Sequence, residues 1–178
     1  MGVLRVLLIS LVCLTFAHGQ TPLSSSKSYW QAVDGNSATL DTAIVQFEKM
    51  PAPEEKAMFF GLLMLKGDKN GKPMLDRLAK DFQGNEEIML IRARHFGMIK
   101  KYRKESDKVF GVLYENISEN KTTLSKVSQQ EVLLVAGRVV LDQDRKQDAL
   151  EIWKYGIALG PQTRWALQMK RRILDVRP

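Results

Sequence analysis

Apolar residues recur at helical spacing along most of the chain. The clearest run has five apolar residues placed on one helical face: Leu40, Ala43, Ile44, Phe47 and Met50. No segment shows a convincing alternation of apolar and polar residues, and the Asn-Gly pair at 70–71 has helical periodicity on both sides. The pattern therefore predicts an all-α fold.

Prolines, glycines and capping residues divide this pattern into separate helices. Pro51 ends one helix, Pro53 opens the next, and Asn85 caps a later one. The predicted helices are a short one at 29–33 and then 40–50, 53–66, 73–82, 86–101, 106–115, 129–142, 147–159 and 161–176. Their short connections favour antiparallel helical hairpins, with the longest loop at 116–126.

Residues 1–19 have the layout of a secretory signal peptide. Arg5 precedes an apolar run at 6–16, and the small residues Ala17 and Gly19 stand before the predicted cleavage point. The run is shorter than the roughly 20 residues that span a bilayer. We therefore expect export to a periplasm or secretory pathway, no membrane-spanning segment after cleavage, a flexible polar linker at 20–28 and a helical domain at 29–178.

Loss of the leader narrows the available chemistry. Cys13 and His18 leave with it, so the exported chain has no thiol and one imidazole, that of His95. Disulfides and metal sites built from Cys and His clusters are excluded, as are nucleophile systems unless His95 is their base. We predict no metal and no cofactor, and we interpret His95 as either a structural or an exposed histidine. The net charge of +7 falls by one with Arg5 and stays moderately basic.

The stretch from 130 to 161 carries small and large residues at repeat spacing. They are Leu133, Ala136, Gly137, Val140, Ala149, Trp153 and Pro161. This stretch resembles one tetratricopeptide repeat. Two helices can approach closely at Gly137 and Ala149, with Trp153 filling the space beside them. Fainter copies of the first-helix pattern start at Ala57 and Ala93.

The resemblance implies an α-solenoid, a superhelix of about three antiparallel hairpins with a C-terminal capping helix. In the cap, Trp165, Met169 and Ile173 would face inward. In this family the first helix of each pair lines a concave groove where partners bind. The groove residues would be Met58, Leu62, Leu65, Arg94, Met98, Lys101, Leu134, Arg138 and Leu141. Such a surface suits an amphipathic helix or an acidic peptide, but the alternative is that Met58, Leu62, Leu65, Leu134 and Leu141 are simply core in a small, tightly curled domain.

A run of cations follows the helix at 86–101. It comprises Lys100, Lys101, Arg103, Lys104 and Lys108. Cations at the C-terminal end of a helix complement its dipole, which is one interpretation. The other is a site for an acidic partner, a glycan or an anionic membrane surface. Nucleic acid fits poorly, because only Tyr102 offers a base-stacking platform within the run.

Two further patterns bear on function. Asn116-Ile117-Ser118 and Asn120-Lys121-Thr122 are possible N-glycosylation sequons in the predicted loop. A carboxylate-based hydrolase has candidates in Glu86, Glu87, Asp107 and Glu131, but all stand in first turns of predicted helices. We therefore predict an exported, non-catalytic scaffold that binds another protein, with a basic envelope- or polyanion-binding module as the alternative and the hydrolase as a third interpretation.

Overall fold

The computed structural model describes residues 27–176, and all regular elements in that range are helical. The predicted leader and residues 20–26 of the predicted linker lie outside the described residues. The helices are α1 (Lys27–Val33), α2 (Ser37–Glu48), α3 (Pro53–Lys66), α4 (Gly71–Asp81), α5 (Glu86–Met98), α6 (Arg103–Ser118), α7 (Lys126–Leu141), α8 (Lys146–Leu159) and α9 (Arg164–Val176), with a 3-10 turn at Lys100–Tyr102. The predicted all-α class is confirmed for these residues.

Side-chain caps explain where several helices begin. The Ser125 hydroxyl accepts a hydrogen bond from the backbone N–H of Ser128 (3.2 Å), so α7 starts three residues before its predicted start at 129. Thr163 accepts from the N–H of Ala166 (3.1 Å), so α9 starts after Thr163 and not at Pro161. Helix α1 starts at Lys27, two residues inside the predicted linker.

Consecutive helices pack against each other along the described chain. In addition, α3 contacts α5, α5 contacts α7, and α7 contacts α9. These four helices therefore form one layer. Helices α4, α6 and α8 each pack against two successive members of that layer.

Glycines allow the closest approaches between these helices. A methyl group at Gly137 would overlap the Trp153 indole, and one at Gly61 would overlap the His95 ring. The Trp153 indole N–H donates to the carbonyl of Leu134 (3.1 Å), which fixes the ring against α7. The predicted packing of Trp153 beside Gly137 is confirmed.

Helix α9 has the two faces predicted for a terminal helix. Trp165, Met169 and Ile173 are buried. The exposed side carries three cations and also two leucines: Lys170, Arg171, Arg172, Leu167 and Leu174. None of the helices within 27–176 combines the length and apolar character needed to cross a membrane.

Candidate functional site

Two of the three predicted groove positions on α3 belong to the core. Met58 and Leu62 are 2% and 0% exposed, because α3 packs against α2, α4 and α5. Leu65, one turn further along α3, is half-buried. The prediction that Met58 and Leu62 line an open groove is therefore wrong for this arrangement.

Arg94 is also buried, and it forms an ion pair with Glu131. Its Nε and Nη2 atoms donate to the two carboxylate oxygens of Glu131, both at 2.6 Å, and join α5 to α7. Burial alone would lower the pKa of Arg94, but the Glu131 carboxylate and the Tyr29 hydroxyl outweigh burial and raise it. Arg94 therefore remains charged inside the protein, and it is not the open groove cation that we predicted.

Tyr29 and His95 extend this buried network to α1. The Tyr29 hydroxyl accepts from Arg94 Nη1 (2.7 Å) and lies 3.4 Å from His95 Nε2. His95 Nδ1 lies 2.8 Å from the Ile91 carbonyl, so Nδ1 carries the proton and Nε2 accepts from Tyr29. Burial lowers the pKa of His95 to about 3 and raises that of Tyr29 to about 12. Both rings are therefore neutral at physiological pH, and both nitrogens of His95 are hydrogen-bonded.

Trp30 connects α1 to the C-terminal helix. Its ring packs edge-on against Trp165, with centroids 5.2 Å apart. Two guanidinium groups lie over the same indole, Arg94 at 4.6 Å and Arg164 at 4.4 Å from its centroid. Arg164 also forms an ion pair with Asp34 (2.9 Å), just after α1. The first and last described helices therefore meet beside the Arg94–Glu131 pair.

A half-open cleft of about 160 Å³ lies between α5, α6, α7 and α9. We call it the α5–α9 cleft. Its walls combine the buried ion pair with apolar side chains and one partly exposed cation: Arg94, Gly97, Ser106, Phe110, Glu131, Leu134, Val135, Arg138 and Trp165. Three predicted groove residues, Arg94, Leu134 and Arg138, come together here.

Arg138 is the most accessible charge in the cleft wall. Its side chain is 40% exposed, and its Nη2 donates to Asp107 on α6 at 2.8 Å. The Ser106 hydroxyl, by contrast, donates to the carbonyl of Ala93 (2.7 Å). Because Arg138 has five N–H donors, it can bind a second carboxylate while it keeps Asp107. The cleft can therefore hold an apolar group beside an anionic one.

The remaining predicted groove residues lie apart from the cleft. Met98 and Lys101 are exposed, Leu141 is half-buried, and none of them belongs to its wall. The predicted groove is thus divided between a buried part, a cleft and an outer surface.

The basic run has a different position from the one predicted. Helix α5 ends at Met98, and α6 begins at Arg103, so Arg103 and Lys104 occupy the first turn of α6. Cations there oppose the helix dipole, and the interpretation that they complement a C-terminal end is wrong for these two residues. All members of the run are exposed, and within residues 27–176 none of them forms a salt bridge: Lys100, Lys101, Arg103, Lys104 and Lys108.

The two predicted sequons differ in accessibility. Asn116 lies in the last turn of α6, not in a loop, and its Nδ2 donates to Glu86 (2.8 Å). Asn120 is exposed in the following turn, with a left-handed φ of 56°. Asn120 therefore remains a predicted glycosylation site, whereas the side chain of Asn116 is already bound within the fold.

The candidate acid–base residues have structural partners. Glu86 accepts hydrogen bonds from Asn116, Thr122 and Thr123, which attach the loop before α7 to α5. Burial raises the pKa of Glu87, although the Ser128 hydroxyl donates to it at 2.6 Å. No group of three or more His, Cys, Asp or Glu residues with metal-binding geometry occurs among residues 27–176.

Sequence reasoning missed the cleft residues that come from distant helices. Trp165 was assigned only to the inner face of the cap, and Glu131 only to a helix end. One usable signal was present, since Arg94 stands within an apolar stretch, Glu131 stands directly before one, and buried charges require partners. That signal does not reveal which two charges pair.

Comparisons with protein-family models, with curated proteins and with solved structures find no match to this chain.

Proposed function

We propose that this protein is an exported, non-catalytic interaction module with a tetratricopeptide-like stack of helices. Three observations support the stack. Helices α3, α5, α7 and α9 form one layer, and Trp153 packs against Gly137. Helix α9 has one buried apolar face and one exposed face. A stack of this kind displays one layer of helices to its partners.

The observation that carries the proposed binding function is the α5–α9 cleft. Leu134, Val135 and Trp165 supply apolar walls, and Arg138 supplies a partly exposed cation in the same cleft wall. This combination suits a peptide that places an apolar side chain beside a carboxylate. Apolar burial would supply most of the affinity, and Arg138 would set orientation.

The test compares two charge reversals in a crosslinking pull-down from the exported fraction. We expect Arg138→Glu to lower partner capture at least about five-fold, which corresponds to about 1 kcal/mol. Lys154→Glu makes the same change in charge on the exposed face of α8, away from the cleft, and should leave capture unchanged. Arg138→Gln separates loss of the cation from repulsion with Asp107.

Stability provides the internal check on this experiment. The Arg138–Asp107 pair is partly exposed and contributes about 0–1 kcal/mol, so the melting temperature should change little. Equal capture by Arg138→Glu and Lys154→Glu would contradict the cleft as the binding site. A large loss of stability in Arg138→Gln would show that Arg138 belongs to the packed scaffold.

A second candidate function rests on the basic run in the α5–α6 connection. Its five exposed cations form no salt bridge within residues 27–176, and two of them oppose the α6 dipole. Unpaired cations at this position favour an anionic partner such as a glycan or an envelope surface. Binding of that kind weakens steeply with salt, whereas capture in the cleft should persist at high salt.

A further inference from the structure

Helix α1 covers part of the layer formed by α3, α5, α7 and α9. Its backbone packs against α2, while its contacts with α5 and α9 are made by the side chains of Tyr29, Trp30 and the adjoining Asp34. A helix of seven residues is not stable on its own, so α1 depends on these contacts. It is bound to the layer much as a short peptide would be.

The surface under α1 is defined by four side chains, which we call the α1 seat. They are Arg94 and His95 on α5 and Arg164 and Trp165 on α9. Arg94 donates to the Tyr29 hydroxyl, His95 lies beside the Tyr29 ring at 5.9 Å between centroids, and Arg164 pairs with Asp34. The seat therefore recognises two adjacent aromatic rings and a carboxylate four residues after the second ring.

The seat and the cleft are continuous. Arg94 and Trp165 line the α5–α9 cleft, and the same two residues contact Trp30. A segment that replaced α1 could therefore extend from the seat into the cleft and reach Arg138. Removal of α1 would therefore lengthen the surface that is accessible beside the cleft.

Helix α1 satisfies this seat incompletely. Within residues 27–176, the buried Nε1 of Trp30 and the buried Nε of Arg164 have no hydrogen-bond partner. A buried donor without an acceptor destabilises the contact that buries it. Trp30 leaves with α1, whereas Arg164 belongs to the seat, so a competing segment with an acceptor for Arg164 Nε would satisfy the seat more completely than α1 does.

We propose that the α1 seat is a second part of the partner-binding site, and that α1 occupies it until a partner displaces it. The partner fits the seat with a short helical segment that carries two adjacent aromatic residues and a carboxylate four positions after the second one. This inference rests on the proposed function, because it extends the binding surface beyond the cleft. Displacement takes place around Asp34–Asn36, where Gly35 is exposed and has a φ of +92°.

A labelled peptide with the sequence of residues 27–36 tests the seat directly. In the wild-type exported chain the tethered α1 competes at an effective concentration on the order of millimolar, so the peptide should bind weakly. The Trp30→Ala variant empties the indole position and should bind the peptide at least about ten-fold tighter in fluorescence anisotropy. Tyr155→Ala, which removes an exposed aromatic ring on α8, should bind as weakly as wild type.

Three results would overturn the proposal. The first is equal affinity of the peptide for the wild type and a folded Trp30→Ala variant. The second is equal binding of a peptide in which Trp30 is itself replaced by alanine. The third is a dimer that the wild-type chain forms and the Trp30→Ala variant does not. In such a dimer, α1 of one copy would occupy the seat of the other copy, and the seat would serve self-association and not a partner.

Hydrogen exchange on the wild-type chain measures the opening of α1 without any substitution, and therefore also applies if Trp30→Ala fails to fold. The amide of Asp34 donates to the Trp30 carbonyl (2.8 Å), so it is protected only while α1 is formed. Amides at 31–34 should exchange at least about a hundred-fold faster than those at 91–94 in α5, through opening of α1 alone. Exchange of both groups at one common rate would overturn the proposal. Neither the peptide measurement nor hydrogen exchange involves Arg138. A negative result for the seat can therefore be distinguished from a negative result for binding in the cleft.

Discussion

Arg94 and Glu131 form the buried ion pair that joins α5 to α7. Removal of one partner leaves the other charge buried without compensation, which costs about 3–5 kcal/mol. We therefore expect Glu131→Ala to lower the free energy of unfolding by that amount, measured by urea denaturation followed by tryptophan fluorescence. Loss of less than about 1 kcal/mol would contradict the buried pair.

The matched control removes both charges together. Replacement of Arg94 by Met and Glu131 by Leu keeps a similar volume and leaves no unpaired ion, so its stability should lie close to that of the wild type. The Tyr29 hydroxyl loses one donor but can still donate to His95. A double variant as unstable as Glu131→Ala would show that packing, and not the unpaired charge, causes the loss.

Glu86 should make stability depend on pH in the acid range. Burial alone would raise its pKa, but hydrogen bonds from Asn116, Thr122 and Thr123 outweigh burial and lower it. A lowered folded-state pKa gives stability that is present above the unfolded value of about 4.3 and is lost as pH falls through the folded-state value. Glu86→Gln should therefore be about 1–3 kcal/mol less stable than wild type at pH 7.

The difference in stability between wild type and Glu86→Gln should begin to shrink below about pH 4.3, because the unfolded wild-type chain then binds a proton at Glu86, and it should disappear as pH falls through the folded-state pKa. Chemical denaturation at several pH values measures this. Glu151→Gln, an exposed glutamate on α8, should stay within about 0.5 kcal/mol of wild type throughout. A Glu86→Gln deficit that is the same at pH 3 and pH 7 would contradict the account.

The first turn of helix α6 carries two exposed cations where the helix dipole favours negative charge. Arg103 and Lys104 oppose the helix dipole, so changing both to Glu should stabilise α6 by about 0.3–1 kcal/mol for each residue. If the basic run binds polyanions, the same double variant should elute from a heparin column at lower salt. Thermal denaturation and the elution position measure the two effects.

Lys126 and Lys146 give a matched control, since both are exposed and each is the first residue of its helix, α7 and α8. Charge reversal of this pair should produce a similar gain in stability without a similar change in elution. Equal shifts in elution for the two double variants would mean that net charge, and not the basic run, binds the column.

Most of the elements could be predicted from the sequence, because apolar periodicity reports the buried face of each helix. The predicted helix starts were less accurate where a side-chain cap sets the first residue of the helix, as Ser125 does for α7 and Thr163 for α9. The groove prediction was wrong at Met58, Leu62 and Arg94 because periodicity shows that a face is covered but not what covers it. Here α1 covers part of that face, and its contacts lie 65 or more residues away in sequence.

At the scale of the whole molecule, the two ends of the described chain close on one another. Asp34 and Arg164 form an ion pair, and Trp30 packs on Trp165. This closure leaves the α5–α9 cleft accessible and makes the α1 seat accessible only when α1 moves. Binding and opening of α1 are therefore expected to be coupled.

Site-specific photo-crosslinking distinguishes a partner that binds in the α5–α9 cleft from one that binds at the basic run. A photo-reactive amino acid at position 135 lies in the cleft wall and leaves Arg138 in place, while the same residue at 104 lies in the basic run and at 154 on the outer face of α8. If the partner binds in the cleft, we expect one discrete crosslinked protein from position 135, retained at high salt, and none from position 154. Crosslinks from position 104 alone, lost at high salt, would contradict the cleft and support the polyanion-binding function.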